Sequence, residues 1–293
     1  MDSLEKKYLK GKSSCPICNG RSKVIDNVNT MNSNSFEILN LRECFICGHW
    51  WIDPMPDQEY LLELYKNSSE YVVSPDYAGS DELKREDFEK FFNNILKYLK
   101  FKEPKELNYL EVGCRSGYLL NYFKEKVNLC FGVEPGSWRP KGENIVSSIN
   151  EIPDDIKFDI VIIKDVLEHL ENPLEMMKKL RSLANYKAII ICSFPNKDSL
   201  IAKFFIGRWA MIGPIGHLHY FSSKSTDKMF KNSSWTVINK YSYWQVKSFF
   251  DLFRNFNWNF KNPIKFLYGL IVRLFLKQII MGKDQWRAVG KYR

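Results

Sequence analysis

The chain has 293 residues, 45% of them hydrophobic, with 43 Lys and Arg against 34 Asp and Glu, a formal charge of +9. That length and apolar content support a sizeable core and exclude a disordered chain, leaving one large domain with an appendage or two small ones. The charge is uneven: residues 240–293 hold 11 Lys and Arg against 2 Asp and Glu, while residues 1–239 hold 32 of each. A nucleic-acid binder would spread basic residues over its folded body, so a localised electrostatic role is expected and a nucleic-acid partner is not. No apolar stretch follows the charged opening "MDSLEKKYLKGK". A secretory signal is therefore not expected, and the seven cysteines should stay reduced in a cytoplasmic setting.

The first motifs are "CPIC", Cys15 to Cys18, and "CFICG", Cys44 to Gly48. Each Cys-x2-Cys knuckle can present two thiolates to one tetrahedral ion, and Gly48 stands where a tight turn needs it. Four sulfur ligands from Cys15, Cys18, Cys44 and Cys47 leave no open position for water or substrate, so a zinc ion there would be structural; the alternative is four free thiols. Residues 1–56 are thus expected to form a small zinc ribbon, which Trp50, Trp51, Pro54 and Pro56 lead out of. A helical lead-in should occupy 57–104. Within it Phe88, Phe91, Phe92, Ile95, Leu96 and Leu99 recur at three- and four-residue spacing, predicting an amphipathic helix from Asp81 to Phe101 that Pro104 closes.

From there the chain alternates: strand 107–112, helix from about 117, strand 129–133, strand 158–164, helix 173–184 and strand 187–193. Strands separated by helices imply an α/β fold with a parallel sheet and covering helices, here over 105–293. The helix after Glu134 is weakly signalled, because "PGSWRPKGEN" carries two prolines and two glycines.

In such a sheet ligands sit outside the carboxyl ends of the strands. The first strand ends at "EVGCRSG", Glu111 to Gly117, where glycines let backbone approach a ligand. The second ends at Glu134, 21 residues after Gly113, where a carboxylate can accept both hydroxyls of a ribose. The run "FDIVIIKDVLEHLENP" delivers Asp165, Glu168 and His169 to the same rim, and "HLHYFS" places His217 and His219 after the next strand. Histidine suits removal of a proton from a reacting group near neutral pH, so His169 and His217, with Glu168 beside them, are the candidate catalytic groups.

On these residues the chain resembles the class I S-adenosylmethionine-dependent methyltransferases, whose fold is a Rossmann-like sheet with helices on both faces. More narrowly it resembles the bacterial sugar and small-molecule methyltransferases in which a "CPxC…CxxCG…DPxP" zinc ribbon precedes the catalytic domain. The resemblance runs from Cys15 to about Ser222 and resumes in a last strand, Gln285 to Tyr292. It implies that Glu111, Gly113, Cys114, Arg115 and Gly117 belong to the first cofactor motif, that Glu134 holds the ribose, and that Asp165 lies near the methionyl end or the substrate. It also implies the substrate class: an oxygen of a sugar-containing acceptor, small or lipid-linked, in surface polysaccharide or related glycan biosynthesis. Arg115 departs from the pattern, since glycine is usual there. It either pairs with the cofactor carboxylate or obstructs the site, and obstruction would leave a non-catalytic binding protein with a degenerate methyltransferase fold.

The last expectation concerns residues about 245–283. Lys261, Lys265, Arg273 and Lys277 fall at multiples of four among apolar residues, which predicts an amphipathic helix with a narrow basic stripe from Pro263 to Met281. Such a helix covers the sheet, closes a homodimer, or docks on an anionic membrane at its cytoplasmic face.

Overall fold

The computed structural model describes residues 11, 13–32, 35–67, 81–136, 139–209, 211–213, 216–243 and 285–292. The basic segment expected over 245–283 lies outside them. In chain order the elements are β1 (Ser22–Asn32), β2 (Ser35–Cys44), β3 (Trp50–Asp53), α1 (Gln58–Asn67), α2 (Asp81–Leu96), β4 (Asn108–Val112), α3 (Tyr118–Lys124), β5 (Leu129–Val133) and β6 (Ile145–Val146). There follow β7 (Phe158–Lys164), α4 (Pro173–Ser182), β8 (Ala184–Pro195), α5 (Leu200–Phe205), β9 (His219–Tyr220), α6 (Ser223–Asn232), β10 (Thr236–Tyr243) and β11 (Gln285–Lys291).

The large sheet has the order β10-β11-β8-β7-β4-β5-β6. Its five strands from β8 to β6 are parallel, and β11 enters antiparallel to both β8 and β10. The chain builds outward from β4 through β5 to β6, then crosses back to β7 on the other side of β4. The carboxyl ends of β4 and β7 therefore flank the point where strand order reverses, the place such sheets bind ligands.

Alternation along the strands divides the core between two faces. Leu110, Val112, Val161, Ile163, Ile190 and Cys192 pack on one side with Met177 and Leu180 of α4 and Met229 and Phe230 of α6. Tyr109, Ile160, Ile162, Ile189 and Ile191 pack on the other with Phe92 and Ile95 of α2 and Leu119, Leu120 and Phe123 of α3. Burial on both faces is why β7 and β8 read as continuous apolar runs. The exception is Asp159 in β7, which accepts hydrogen bonds from Lys102 Nζ at 2.7 Å, the Asn108 N–H at 2.9 Å and Asn185 Nδ2 at 3.0 Å.

Several predicted elements differ in extent: the helix expected over 173–184 ends at Ser182, the strand expected from 107 begins at Asn108, and two others differ more. The helix expected to Phe101 ends at Leu96, after which the Tyr98 and Leu99 N–H groups bond three residues back and the chain tightens into a turn. That turn still buries Leu99 and brings Lys102 to Asp159. The strand predicted over 187–193 extends over Ala184–Pro195 because β7 and β11 pair along its two sides. No helix forms between β5 and β6 among the described residues, as two prolines and two glycines in that stretch would require.

The small sheet has the order β1-β2-β3-β9, so the N-terminal hairpin and β3 are completed by a strand more than 160 residues further on. Cys15, Ile17, Cys44, Cys47 and Trp51 belong to the same buried cluster as β4, β7 and β8. The ribbon is thus packed on the large domain.

Removing the Asp159 carboxylate strands one backbone N–H and two side-chain donors. Asp159→Ala should lower unfolding free energy by about 3 kcal/mol, measured by urea denaturation, with Asp159→Asn recovering part of the loss.

Candidate functional site

The rim begins with the loop after β4. Gly113, Arg115 and Gly117 all have left-handed backbone, with φ of 76°, 48° and 78°. At Gly113 a Cβ would also clash with the Val166 side chain, so both backbone and packing favour glycine. The positive φ at Arg115 accounts for the glycine expected there, since a side chain in this region costs about 1–2 kcal/mol. The strain is held by a specific bond: the Arg115 N–H donates to Glu134 Oε2 at 3.0 Å. Its side chain is exposed and does not fill the loop.

Glu134, at the end of β5, is buried and also accepts the Gly136 N–H on Oε1 at 2.8 Å. A carboxylate has about four lone-pair sites, so one on each oxygen is left for further donors such as the two hydroxyls of a ribose. Glu111, the penultimate residue of β4, accepts the Tyr109 hydroxyl at 3.0 Å. Burial pushes its carboxyl up to about 7, against the opposing effects of that hydrogen bond and the Lys164 charge. Cys114 is buried, and its Sγ would lie 2.9 Å from a Cβ placed on Gly132, so this residue offers the cleft only backbone. Burial first, then the Glu111 and Glu134 charges, push its thiol up to about 12.

The end of β7 supplies the next side of the rim. Asp165 has φ 53°, donates its N–H to the Ser193 carbonyl at 2.9 Å and accepts the Ser193 hydroxyl on Oδ1 at 3.0 Å. Lys164 pairs in register with Ser193, which in turn faces Arg287 of β11. Burial lowers the Lys164 ammonium, with the neighbouring Asp165 charge opposing it. Lys164, Ser193 and Arg287 were not singled out by sequence reading; Lys164 had a signal, standing between the apolar run and Asp165.

A 3-10 turn, Leu167–His169, then brings Glu168 and His169 toward His217 across nearly fifty residues. The three offer one ligand-type atom each, all within 4.8 Å of one another. The imidazoles of His169 and His217 meet edge-on with centroids 4.7 Å apart. His169 Nδ1 lies 2.6 Å from the Gly216 carbonyl, and His217 Nδ1 lies 2.8 Å from the Met211 carbonyl. A carbonyl only accepts, so each Nδ1 carries the hydrogen and each Nε2 keeps its lone pair. Burial, reinforced by His217, pulls His169 down to about 3. His219 does not join this group: it is fully buried against the ribbon, with Nδ1 3.0 Å from His49 Nε2.

In the ribbon the four cysteines converge. Sγ–Sγ distances are 3.6 Å for Cys15 and Cys47, 3.5 Å for Cys18 and Cys44, and 3.4 Å for Cys18 and Cys47. Four sulfurs held about 2.3 Å from one tetrahedral ion stand about 3.8 Å apart, so the cluster matches a zinc ribbon with slight contraction. Gly48 takes φ 68°, the left-handed turn for which glycine is suited after the second knuckle.

A sequence model of the methyltransferase domain family matches residues 83–240, over half the chain. The chain belongs to this family, and its strand order with the antiparallel β11 is that of a class I S-adenosylmethionine-dependent methyltransferase sheet. It is therefore a methyltransferase preceded by a zinc ribbon, and the alternative of a non-catalytic relative gives way. Among curated proteins no sequence matches. Similar solved structures include a SAM-dependent methyltransferase from Archaeoglobus fulgidus, 18% identical, covering 76% of this chain and 100% of that one with a TM-score of 0.49. Another is the magnesium protoporphyrin IX methyltransferase of Synechocystis PCC 6803, 13% identical, covering 71% and 83% with a TM-score of 0.44. The family assignment rests on the sequence match.

The buried histidines make the fold acid-sensitive. Burial holds His219 down at about 4 in the folded chain, against about 6.5 when unfolded. Below pH 6.5 the unfolded chain takes up a proton that the folded chain refuses, so stability is present above that pH and is lost as pH falls toward 4. At pH 5 this amounts to about 2 kcal/mol. The melting temperature of His219→Gln, relative to the unsubstituted protein, should therefore rise between pH 7 and pH 5; a constant difference would place the acid sensitivity elsewhere.

Proposed function

We propose that the cleft binds S-adenosylmethionine between the β4 loop and Glu134 and transfers its methyl group to a hydroxyl of a sugar-containing acceptor. The observation that carries this reading is a ribose-competent carboxylate at the end of β5 together with a pair of oriented imidazoles beyond β7, on the carboxyl-end rim of one sheet. The donor set fits the cofactor: Glu134 has acceptor positions to spare, the Gly113 and Gly117 backbone keeps the loop free of side chains, and the exposed Arg115 guanidinium is available to a carboxylate. When bound, S-adenosylmethionine supplies a methyl group on a cationic sulfur, open to in-line displacement by an oxygen nucleophile.

The chain's own residues then have to orient that oxygen and take its proton. We assign proton acceptance to His217 Nε2, because Met211 fixes its tautomer and because burial makes His169 too weak a base for the task. His169 packs edge-on against His217 and limits its rotation. Glu168, in the same group, supplies negative charge toward an imidazolium formed by that transfer. Beside the ribbon lies a groove of about 480 Å³ in which Trp50, Glu43, Lys23, Lys197 and Lys203 share the lining with Val24, Ile25 and Ile206. Aromatic and charged side chains of this kind suit a polar, phosphate-bearing sugar. Among the described residues no helix is long and apolar enough to cross a membrane. The basic 245–283 segment is the part of the sequence that would hold the enzyme at an anionic membrane face near a lipid-linked acceptor.

Calorimetric titration with S-adenosylmethionine tests the cofactor half. Glu134→Ala should weaken binding by about 1–3 kcal/mol, and Arg115→Gly should weaken it as well; tighter binding in the latter would mark Arg115 as an obstruction. His217→Gln should keep cofactor affinity and lower methyl transfer by about 10²–10⁴-fold. The zinc assignment is tested by metal analysis, with about one zinc per chain expected and Cys44→Ser losing both metal and stability. A metal-free protein of unchanged stability would refute it.

A further inference from the structure

Sequence reading passed over His49, the residue directly behind the second knuckle. It has no exposed surface, and neither does His219, whose Nδ1 stands 3.0 Å from His49 Nε2. Their rings lie 5.2 Å apart, with Phe221 at 4.9 Å and Trp51 at 6.1 Å from His49. On the knuckle side, the His49 carbonyl accepts the Cys44 N–H at 2.9 Å, so the backbone of this residue is part of the turn that carries two of the four sulfurs. Across the interface, the Ser222 hydroxyl donates to the Cys47 carbonyl at 2.6 Å.

We propose that His49 is a positioning residue: its bond to His219 fixes the register of β9 on the ribbon and thereby holds His217 and the Glu168–His169 turn in place. The proposal rests on the assignment of proton acceptance to His217. Strands β3 and β9 pair over only two residues, Trp50 with Tyr220 and Trp51 with His219, too short a ladder to set its own register. The bridge between the two imidazoles adds one side-chain bond at a fixed point of that ladder. From there a backbone path leads to the rim. The Ile52 N–H donates to the Leu218 carbonyl at 3.0 Å, and the Leu218 N–H donates to the Glu168 carbonyl at 2.7 Å. His217 precedes Leu218, and its carbonyl accepts the Tyr220 hydroxyl at 2.8 Å. A one-residue slip of β9 would therefore break the bonds at Leu218 and turn His217 away from His169.

The chain contains four histidines, so the ring signals of labelled protein can each be assigned. The experiment uses the full-length, zinc-loaded chain with ¹³C,¹⁵N-histidine, as wild type, His49→Leu and His49→Gln. His49→Leu should shift and broaden the His217 and His169 ring signals as well as that of His219, while His49→Gln, which can still bond across, should bring His217 and His169 back toward their wild-type positions. A His49→Leu protein in which only the His219 signal moves would overturn the proposal, as would failure of His49→Gln to restore the others. Should His49→Leu not fold, His49→Asn, polar but too short to reach His219, takes its place with the same expected and overturning results. Each sample is also titrated with S-adenosylhomocysteine, whose affinity should stay within about two-fold of wild type, because the bond acts on the acceptor side. A larger loss of affinity in the Leu and Asn variants would overturn that localisation. Absence of binding in the wild type would instead refute the cofactor assignment and leave the ring-signal result standing on its own.

Discussion

One carboxylate at the end of β5 holds the loop at the end of β4. Glu134 accepts the backbone N–H of Arg115 on one oxygen and of Gly136 on the other, spanning two neighbouring strands at their carboxyl ends. The loop it holds is strained, with three left-handed residues in five, one of them not glycine. Without that acceptor the Arg115 N–H would lose its partner, and this bond would no longer offset the unfavourable φ. The shape of the cleft therefore depends on a bond that also determines which lone pairs remain for a ligand. A residue that departs from its family pattern is accommodated because its backbone has a partner and its side chain has a way out to solvent.

The other half of the rim is organised by the neighbouring parallel strands. Asp165 is tied to Ser193 through both backbone and side chain, so the ends of β7 and β8 move together. The turn beyond β7 then exposes Glu168 and His169 to a loop that returns from α5. That loop carries His217 and continues directly into β9, which belongs to the ribbon's sheet. The ribbon and the rim are in this way consecutive parts of one hydrogen-bonded path, so the cysteine knuckles are tied to more than their own hairpin. This gives a physical reason for joining a small cysteine ribbon to a sheet that has a core of its own.

Charge at the rim is managed by pairing acids with bases that burial has weakened. Glu111 is raised toward neutrality and Lys164 is lowered, each by desolvation, while each one's charge partly offsets the shift of the other. Burial also keeps His169 neutral and a weak base beside His217. An imidazole whose Nδ1 hydrogen is bonded to a carbonyl, as that of His217 is to Met211, is a proton acceptor of defined direction, which suits deprotonation of an alcohol better than a solvated, freely rotating ring does.

Much of this was legible in the sequence, for local reasons. Continuous apolar runs marked β4, β5, β7 and β8 because strands buried on both faces need no polar positions, and cysteine spacing marked the knuckles because two thiolates on one turn must be two residues apart. Residues at strand ends marked Glu134, Asp165, Glu168 and His169, since chain order alone puts them on one rim. Tertiary structure decided the rest. His217 and His219 are two residues apart and look equivalent in sequence, yet His217 lies in the loop before β9 and meets His169, while His219 lies in the strand paired with β3 and is buried on His49. Two-residue β9 carries no periodicity, and only its pairing with β3 makes it a strand. The backbone partner of Arg115, the tautomer of His169 and the partner of His49 all depend on contacts between segments 19 to 170 residues apart, which no local pattern encodes.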